Sequence, residues 1–204
     1  MSFRETILNE ALVIFEQKGI EAISTEELLE LLDISRGTLH GIAATKRDLV
    51  QHCINHSLKV RQAEVEQTMA ATNHPLEAFL QLLQLSVEEV RSFCPAFVQD
   101  LRDYYPRSWA RLELFMRALS RDYLQPLLEE CIAAGYLQQD LPPEMVVRLF
   151  LNQLQGLLNP QLFPASAFDY QQLFKIVVVY HLRGCATPLG QAQIEAYTYK
   201  AMMA

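Results

Sequence analysis

The chain has 204 residues, half of them hydrophobic and 20% charged, with only 7 Gly and 9 Pro. That is enough apolar material to bury a core in one or two small domains, and it excludes a disordered, collagen-like or disulfide-framed protein. The 17 basic and 24 acidic residues leave a net charge of −7, so any contact with a polyanion must use a local basic face. No apolar run reaches the roughly 20 residues that span a bilayer, and the opening MSFRETILNEAL lacks the long apolar stretch of a secretory signal. The expectation is a cytoplasmic protein without a membrane partner, its Cys53, Cys94, Cys131 and Cys185 reduced.

The pattern is helical almost throughout. Ile7, Leu8, Ala11, Leu12 and Phe15 recur at helical spacing, and Gly19 then offers a C-terminal cap. Ser24 with Glu27 is a capping-box signature for a second helix through Leu28, Leu29 and Leu32. Ser35 caps a short third helix with Gly37 in its first turn. Thr45 with Asp48 opens a long fourth helix carrying Leu49, Val50, Cys53, Ile54 and Leu58. Pro75 starts the next, which ends near Pro95, because proline suits the first helical position. AFVQDLRDYY is a short amphipathic piece stopped by Pro106. A helix from about Ser108 to Ala134 contains Pro126, which should kink or split it, and Gly135 ends it. PPEMVVRLFLNQLQGLLN follows. FDYQQLFKIVVVYHLRG has a β-branched run at 176–180, but its length and the lack of a partner strand favour a helix capped by Gly184. A final helix follows Pro188. The fold class is therefore all-α.

The second and third helices are separated by a tight turn. That is the helix-turn-helix arrangement, whose second helix enters the major groove of DNA. Residues 1–52 hold five basic and nine acidic side chains, a balance of −4. From Ser35 to Arg47, however, three residues are basic and none acidic. Glu26, Glu27 and Glu30 on the second helix would repel phosphates if they faced them.

Between Arg4 and Leu49, Ile7, Ala11, Phe15, Gly19, Leu28, Ile34, Ser35, Gly37, Thr38, Leu39, Lys46 and Leu49 stand in an order and spacing that resemble the TetR family of one-component regulators. DISRGTLH followed by TKRDL resembles that family's recognition segment and the start of its fourth helix, and YHLRGCATPLG resembles the end of one subgroup. The resemblance implies a homodimeric all-helical transcription regulator, a repressor. Residues 1–47 would be a helix-turn-helix DNA-binding domain, and 48–204 a helical domain for ligand binding and dimerisation. Its partners would be double-stranded operator DNA, a second copy of the chain and a small-molecule effector. The chain departs from the family at His40 and Ala43, where aromatic residues are usual, and at Asp33, which stands where the bend usually has glycine. Asp tolerates the left-handed region better than most residues.

By resemblance and chemistry together, the DNA-contacting candidates are Thr25, Ser35, Arg36, Gly37, Thr38, His40, Thr45 and Lys46. Arg36 can reach guanine or phosphate, Thr38 and His40 can meet phosphate or bases, and Lys46 at a helix N-terminus can pair a phosphate. Each is equally an ordinary solvated residue when taken alone, and Leu39 reads as core. Phe97, Tyr104, Tyr105, Trp109, Phe115 and Met116, with Asn152 and Gln155 as polar anchors, are candidate pocket residues; plain core is the competing reading. Phe150, Gly156, Val177 and Tyr180 are candidate dimer contacts. His52 and His56 have metal-ligand spacing around Cys53, but no third ligand stands at a diagnostic distance. No nucleophile elbow, phosphate loop or dinucleotide motif is present. No cofactor, metal or catalytic residue is expected. The alternative is a chain that keeps this fold but has lost DNA binding, acting through a ligand or another protein.

Overall fold

The computed structural model describes residues 2–157 and 175–203. Its helices are α1 (Phe3–Lys18), α2 (Thr25–Leu31), α3 (Arg36–Ile42), α4 (Lys46–Ala71), α5 (Pro75–Ser92), α6 (Pro95–Tyr104), α7 (Pro106–Leu119), α8 (Gln125–Ala133), α9 (Pro143–Leu157), α10 (His181–Cys185) and α11 (Pro188–Met203), with π-helical turns at Ser120–Leu124 and Lys175–Tyr180. Among the described residues the only β pairing is an isolated bridge between Leu137 and Ala186.

The starts obey local hydrogen-bonding rules. Ser2 and Ser24 each form a reciprocal capping box, with Glu5 and Glu27. The Thr38 amide donates to Ser35 Oγ at 3.0 Å, and the Thr45 and Asp48 amides bond each other's side chains at 3.1 Å. Such caps satisfy amide groups that the helix leaves without partners. The ends follow too: Gly19 and Gly135 have positive φ, and so does Asp33 at φ 51, in the bend where glycine is usual. Pro126 splits the 106–133 stretch as its missing N–H requires, through the π-helical turn just before it. Gly184, expected as a cap, lies inside α10 instead; the turn falls two residues later, at Ala186, with extended backbone. The helix expected over 168–184 begins outside the described residues, and its 175–184 part is helical.

The chain divides into two compact units. The first is 1–64 with 92–116; the second is 65–91 with 117–204. This division differs from the 47/48 boundary, because α6 and most of α7 supply core to the first unit. Ile7, Leu8, Ala11, Leu12 and Phe15 of α1 bury against Leu28, Leu39, Leu49, Cys53, Phe97, Leu101 and Tyr105. Within that unit Glu16 is 8% exposed and lies 3.9 Å from Arg61, whose guanidinium burial pushes down to about 10.

In the second unit Phe79 and Phe150 meet edge to face at 6.0 Å. A tight joint ties 135–138 to 185–190. Thr187 Oγ1 donates to the Gly135 carbonyl at 2.7 Å and accepts from the Gly190 amide at 3.2 Å. A Cβ at Gly190 would lie 1.9 Å from the Tyr136 carbonyl oxygen.

Candidate nucleic-acid interface

Two seven-residue helices, α2 and α3, are joined by a bend that turns on Asp33. Neither is long enough to be stable alone. Leu28 and Leu39, at 1% and 7% exposed, anchor them in the core, and the caps fix their starts. Leu39 is thus core rather than a base contact. Ala43 is buried at the end of α3, and the small side chain is accommodated in the same cluster.

Five of the eight candidate DNA contacts line one cleft of about 210 Å³: Thr25, Arg36, His40, Thr45 and Lys46, over Leu28, Leu39 and Leu49. Ser35, Gly37 and Thr38 sit beside them at the start of α3, Ser35 and Gly37 exposed and Thr38 half-buried. Ser35 and Thr38 are 2.8 Å apart through their hydroxyls. The structure therefore gathers donors on one face, at the N-terminal ends of α3 and α4.

The cations of that face already have partners. Arg36 Nη2 donates to Glu26 Oε1 at 2.5 Å. Glu26 is held below the ordinary carboxylate range, first by its own backbone N–H and then by Arg36. Lys46 Nζ donates to the Ile23 carbonyl at 2.6 Å and lies 3.9 Å from Glu21. An ammonium has three protons, so two remain for a phosphate. Glu27 is occupied by the capping box, where it accepts from the Ser24 amide and hydroxyl at 2.8 Å. Two of the three acids expected to repel phosphate are thus engaged inside the head.

Sequence reading missed the pins from α6. Asp100 Oδ2 accepts from the Ile20 and Glu21 amides, each at 2.8 Å. The Tyr105 hydroxyl donates to Glu21 at 2.6 Å, which raises the phenol's pKa along with its burial, the larger cause. Arg47 Nη1 donates to the Tyr104 carbonyl at 2.9 Å. Nothing in the spacing named these partners, because Asp100 and Tyr105 lie some 80 residues from the turn they hold.

The candidate pocket residues do not come together as one set. Phe97 and Tyr105 are buried in the core of the first unit, and Trp109 packs against it. Tyr104 is exposed, while Phe115 and Met116 are half-buried. Asn152, exposed, and Gln155 belong to the other unit. Of the candidate dimer contacts, Phe150 is wholly buried in its own unit against Phe79 and His181, so it is core and presents no surface to a partner. Val177 and Gly156 are half-buried and Tyr180 is exposed. His52 Nδ1 sits 3.1 Å from the Ile42 carbonyl, and among the described residues no three His, Cys, Asp or Glu side chains form a metal-binding group.

A helix-turn-helix head with its donors at the start of the second helix, in an otherwise helical chain, defines a helix-turn-helix transcriptional regulator. Residues 7–53 match the family model of bacterial regulatory proteins, tetR family. It is 24% identical over 177 residues to the HTH-type transcriptional regulator AcrR of Shigella flexneri, covering 83% of this chain and 82% of that protein. The fold is shared with a TetR-family regulator from Agrobacterium tumefaciens (17% identity, TM-score 0.72, 90% of this chain and 97% of that one). It is also shared with the ketosteroid transcriptional regulator KstR2 of Mycobacterium tuberculosis (20% identity, TM-score 0.68, 91% and 96%). Among the described residues no helix is long and apolar enough to cross a membrane.

Proposed function

We propose that the protein is a cytoplasmic, ligand-responsive repressor that binds a near-palindromic operator as a homodimer, by binding rather than catalysis. The observation that carries this is the gathering of Thr25, Arg36, His40, Thr45 and Lys46 on one cleft. Two copies would set two α3 helices in successive major grooves. The dimer reading draws on the second unit's exposed apolar side chains: Met145 and Leu149 on α9, and Ile176 and Tyr180 on the π-helical turn that packs beside it, each 47–60% exposed. Side chains spaced four apart on neighbouring elements make one face, and large exposed apolar patches mark interaction sites.

A small effector in the helical body would shift the population toward a state that fits the operator less well, by no more than its differential affinity for the two states. Two solved neighbours of the fold, a ketosteroid transcriptional regulator and a γ-butyrolactone receptor, support a small, largely apolar molecule. Phe115 and Met116 remain half-buried for such contact, unlike Phe97 and Tyr105.

Selection from a random duplex library at low salt, followed by a salt titration, tests the reading. The expected result is a two-fold-symmetric site whose affinity falls steeply with salt. A folded dimer that enriches nothing, alone or with the apolar effectors that raise its melting temperature, overturns it. That outcome would favour a second reading, a fold that has lost DNA binding. One observation speaks for it: Arg36 and Lys46 are both already paired.

A further inference from the structure

The Arg36–Glu26 pair joins the first turn of the recognition helix to the first turn of α2 across the bend. Both side chains face solvent, Arg36 at 72% and Glu26 at 63% exposure. A pair so exposed adds little to stability, so its meaning lies in what it presents outward. Its charge is also informative. With Glu26 beside it, Arg36 contributes almost no net positive potential and is a poor phosphate neutraliser. A carboxylate at that point would be repelled by a backbone phosphate.

What remains is directional hydrogen bonding. Glu26 takes one proton of Nη2 through Oε1. A guanidinium has five N–H groups in a fixed planar fork, so four are left, enough for a two-pronged contact. A carboxylate has about four lone-pair sites, so Glu26 keeps acceptor capacity beyond the bonds from its own amide and Arg36. The couplet therefore offers two donors next to one acceptor, held in a fixed relation by the ion pair. In the major groove a G·C pair shows the complement: acceptors O6 and N7 on guanine, then the N4 amino donor on cytosine. An A·T pair shows N7, then the N6 amino group, then O4, and sets acceptor against acceptor where the carboxylate would sit.

We infer that Glu26 is a specificity-determining residue, which with Arg36 forms a couplet reading one G·C base pair in each half-site. This rests on the DNA-reading assignment above and extends it to a residue that otherwise looks like an obstacle to DNA. Arg36 bonds the guanine, while Glu26 fixes the fork and accepts from the cytosine amino group.

The test is library selection with the full-length protein and its Glu26→Gln and Arg36→Ala variants, with binding then measured on the selected site and on single-base-pair changes. Both residues lie on the surface, and unchanged circular dichroism melting curves will verify that the variants fold. The wild type should enrich G·C at one position per half-site. Glu26→Gln should bind unrelated duplex more tightly, through loss of a negative charge, yet lose about tenfold of its preference at that position alone. Arg36→Ala should lose the preference at the same position. If Glu26→Gln changes affinity equally for all sequences, or if the positions affected by the two variants differ, the couplet is overturned while the regulator reading stands. If the folded wild type selects no sequence, alone or with the apolar effectors that raise its melting temperature, the regulator reading itself falls and takes the couplet with it.

Discussion

The two compact units fix their helices by different means. In the first, α1, α2, α3 and α4 all begin on Ser or Thr caps, polar pins from Asp100 and Tyr105 hold the turn between α1 and α2, and Arg47 ties the start of α4 to the end of α6. In the second, α5, α9 and α11 begin on prolines, as α6 and α7 of the first unit also do, and α8 has one in its first turn; there the described contacts are largely apolar, such as Phe79 on Phe150. The difference follows from what each has to do. Seven-residue helices presenting side chains in fixed directions need directional bonds, since apolar contact alone tolerates sliding. A body of longer helices is stable once its apolar faces are covered, and its surface is free to serve other purposes.

The contrast can be broken most sharply by core deletion. Phe150→Ala should cost about 3–5 kcal/mol, and Phe15→Ala in the first unit a similar amount. Urea unfolding followed in both variants will reveal whether the units unfold together. A single transition that shifts equally would merge the units energetically; a split transition would separate them. Gly190→Ala comes next. Its Cβ would meet the Tyr136 carbonyl, forcing the 135–138 joint apart at a cost of about 1–3 kcal/mol, measured as a lower urea midpoint. Gly19→Ala should cost about as much, for another reason. Gly19 has φ 89 and ψ 155, a region open in effect only to glycine.

Smaller effects test the pins. Tyr105→Phe removes the hydroxyl bond to Glu21 and should cost about 1 kcal/mol, with hydrogen exchange quickening at Ile20 and Glu21 more than in the second unit. Uniform quickening would deny the pin its local role. The cysteines supply one reporter for each unit. Burial pushes the thiols of Cys53 and Cys131 up to about 12 from an ordinary 9.0. Because the folded values are the higher ones, the stability they add is complete below pH 9 and is lost as pH climbs from 9 toward 12. At pH 8 both should resist alkylation while half-buried Cys94 and Cys185 react first. Mass spectrometry of the labelled protein reads this directly.

Much of the fold was legible because its rules are local. Ser24 with Glu27, Thr45 with Asp48, Pro126 and Gly135 each act within a few residues of themselves, and each marks its boundary. The left-handed bend at Asp33 was legible through the family resemblance, which has glycine there, together with the tolerance of Asp for that conformation. The partition of the chain was not, because the burial of Phe97, Leu101 and Tyr105 against α1 depends on partners some 80 residues away. Nor was the orientation of α9. Met145 and Leu149 form one apolar stripe, and Val146, Val147, Phe150 and Leu154 another; only tertiary packing decides that the second is core. The candidate DNA contacts lie together because they cluster at two helix starts, but their partners across the bend leave no trace in the spacing.

The first unit's discontinuity sets a timetable for the protein's birth. The amides of Ile20 and Glu21 wait for Asp100, and Glu21 waits for Tyr105. A growing chain emerges N-terminal end first, so α1 to α4 leave the ribosome long before the residues that lock them in place. Closing a loop of that length carries an entropic cost that local helix formation does not. The head of a half-made chain therefore lacks these pins until α6 and Tyr105 have been synthesised.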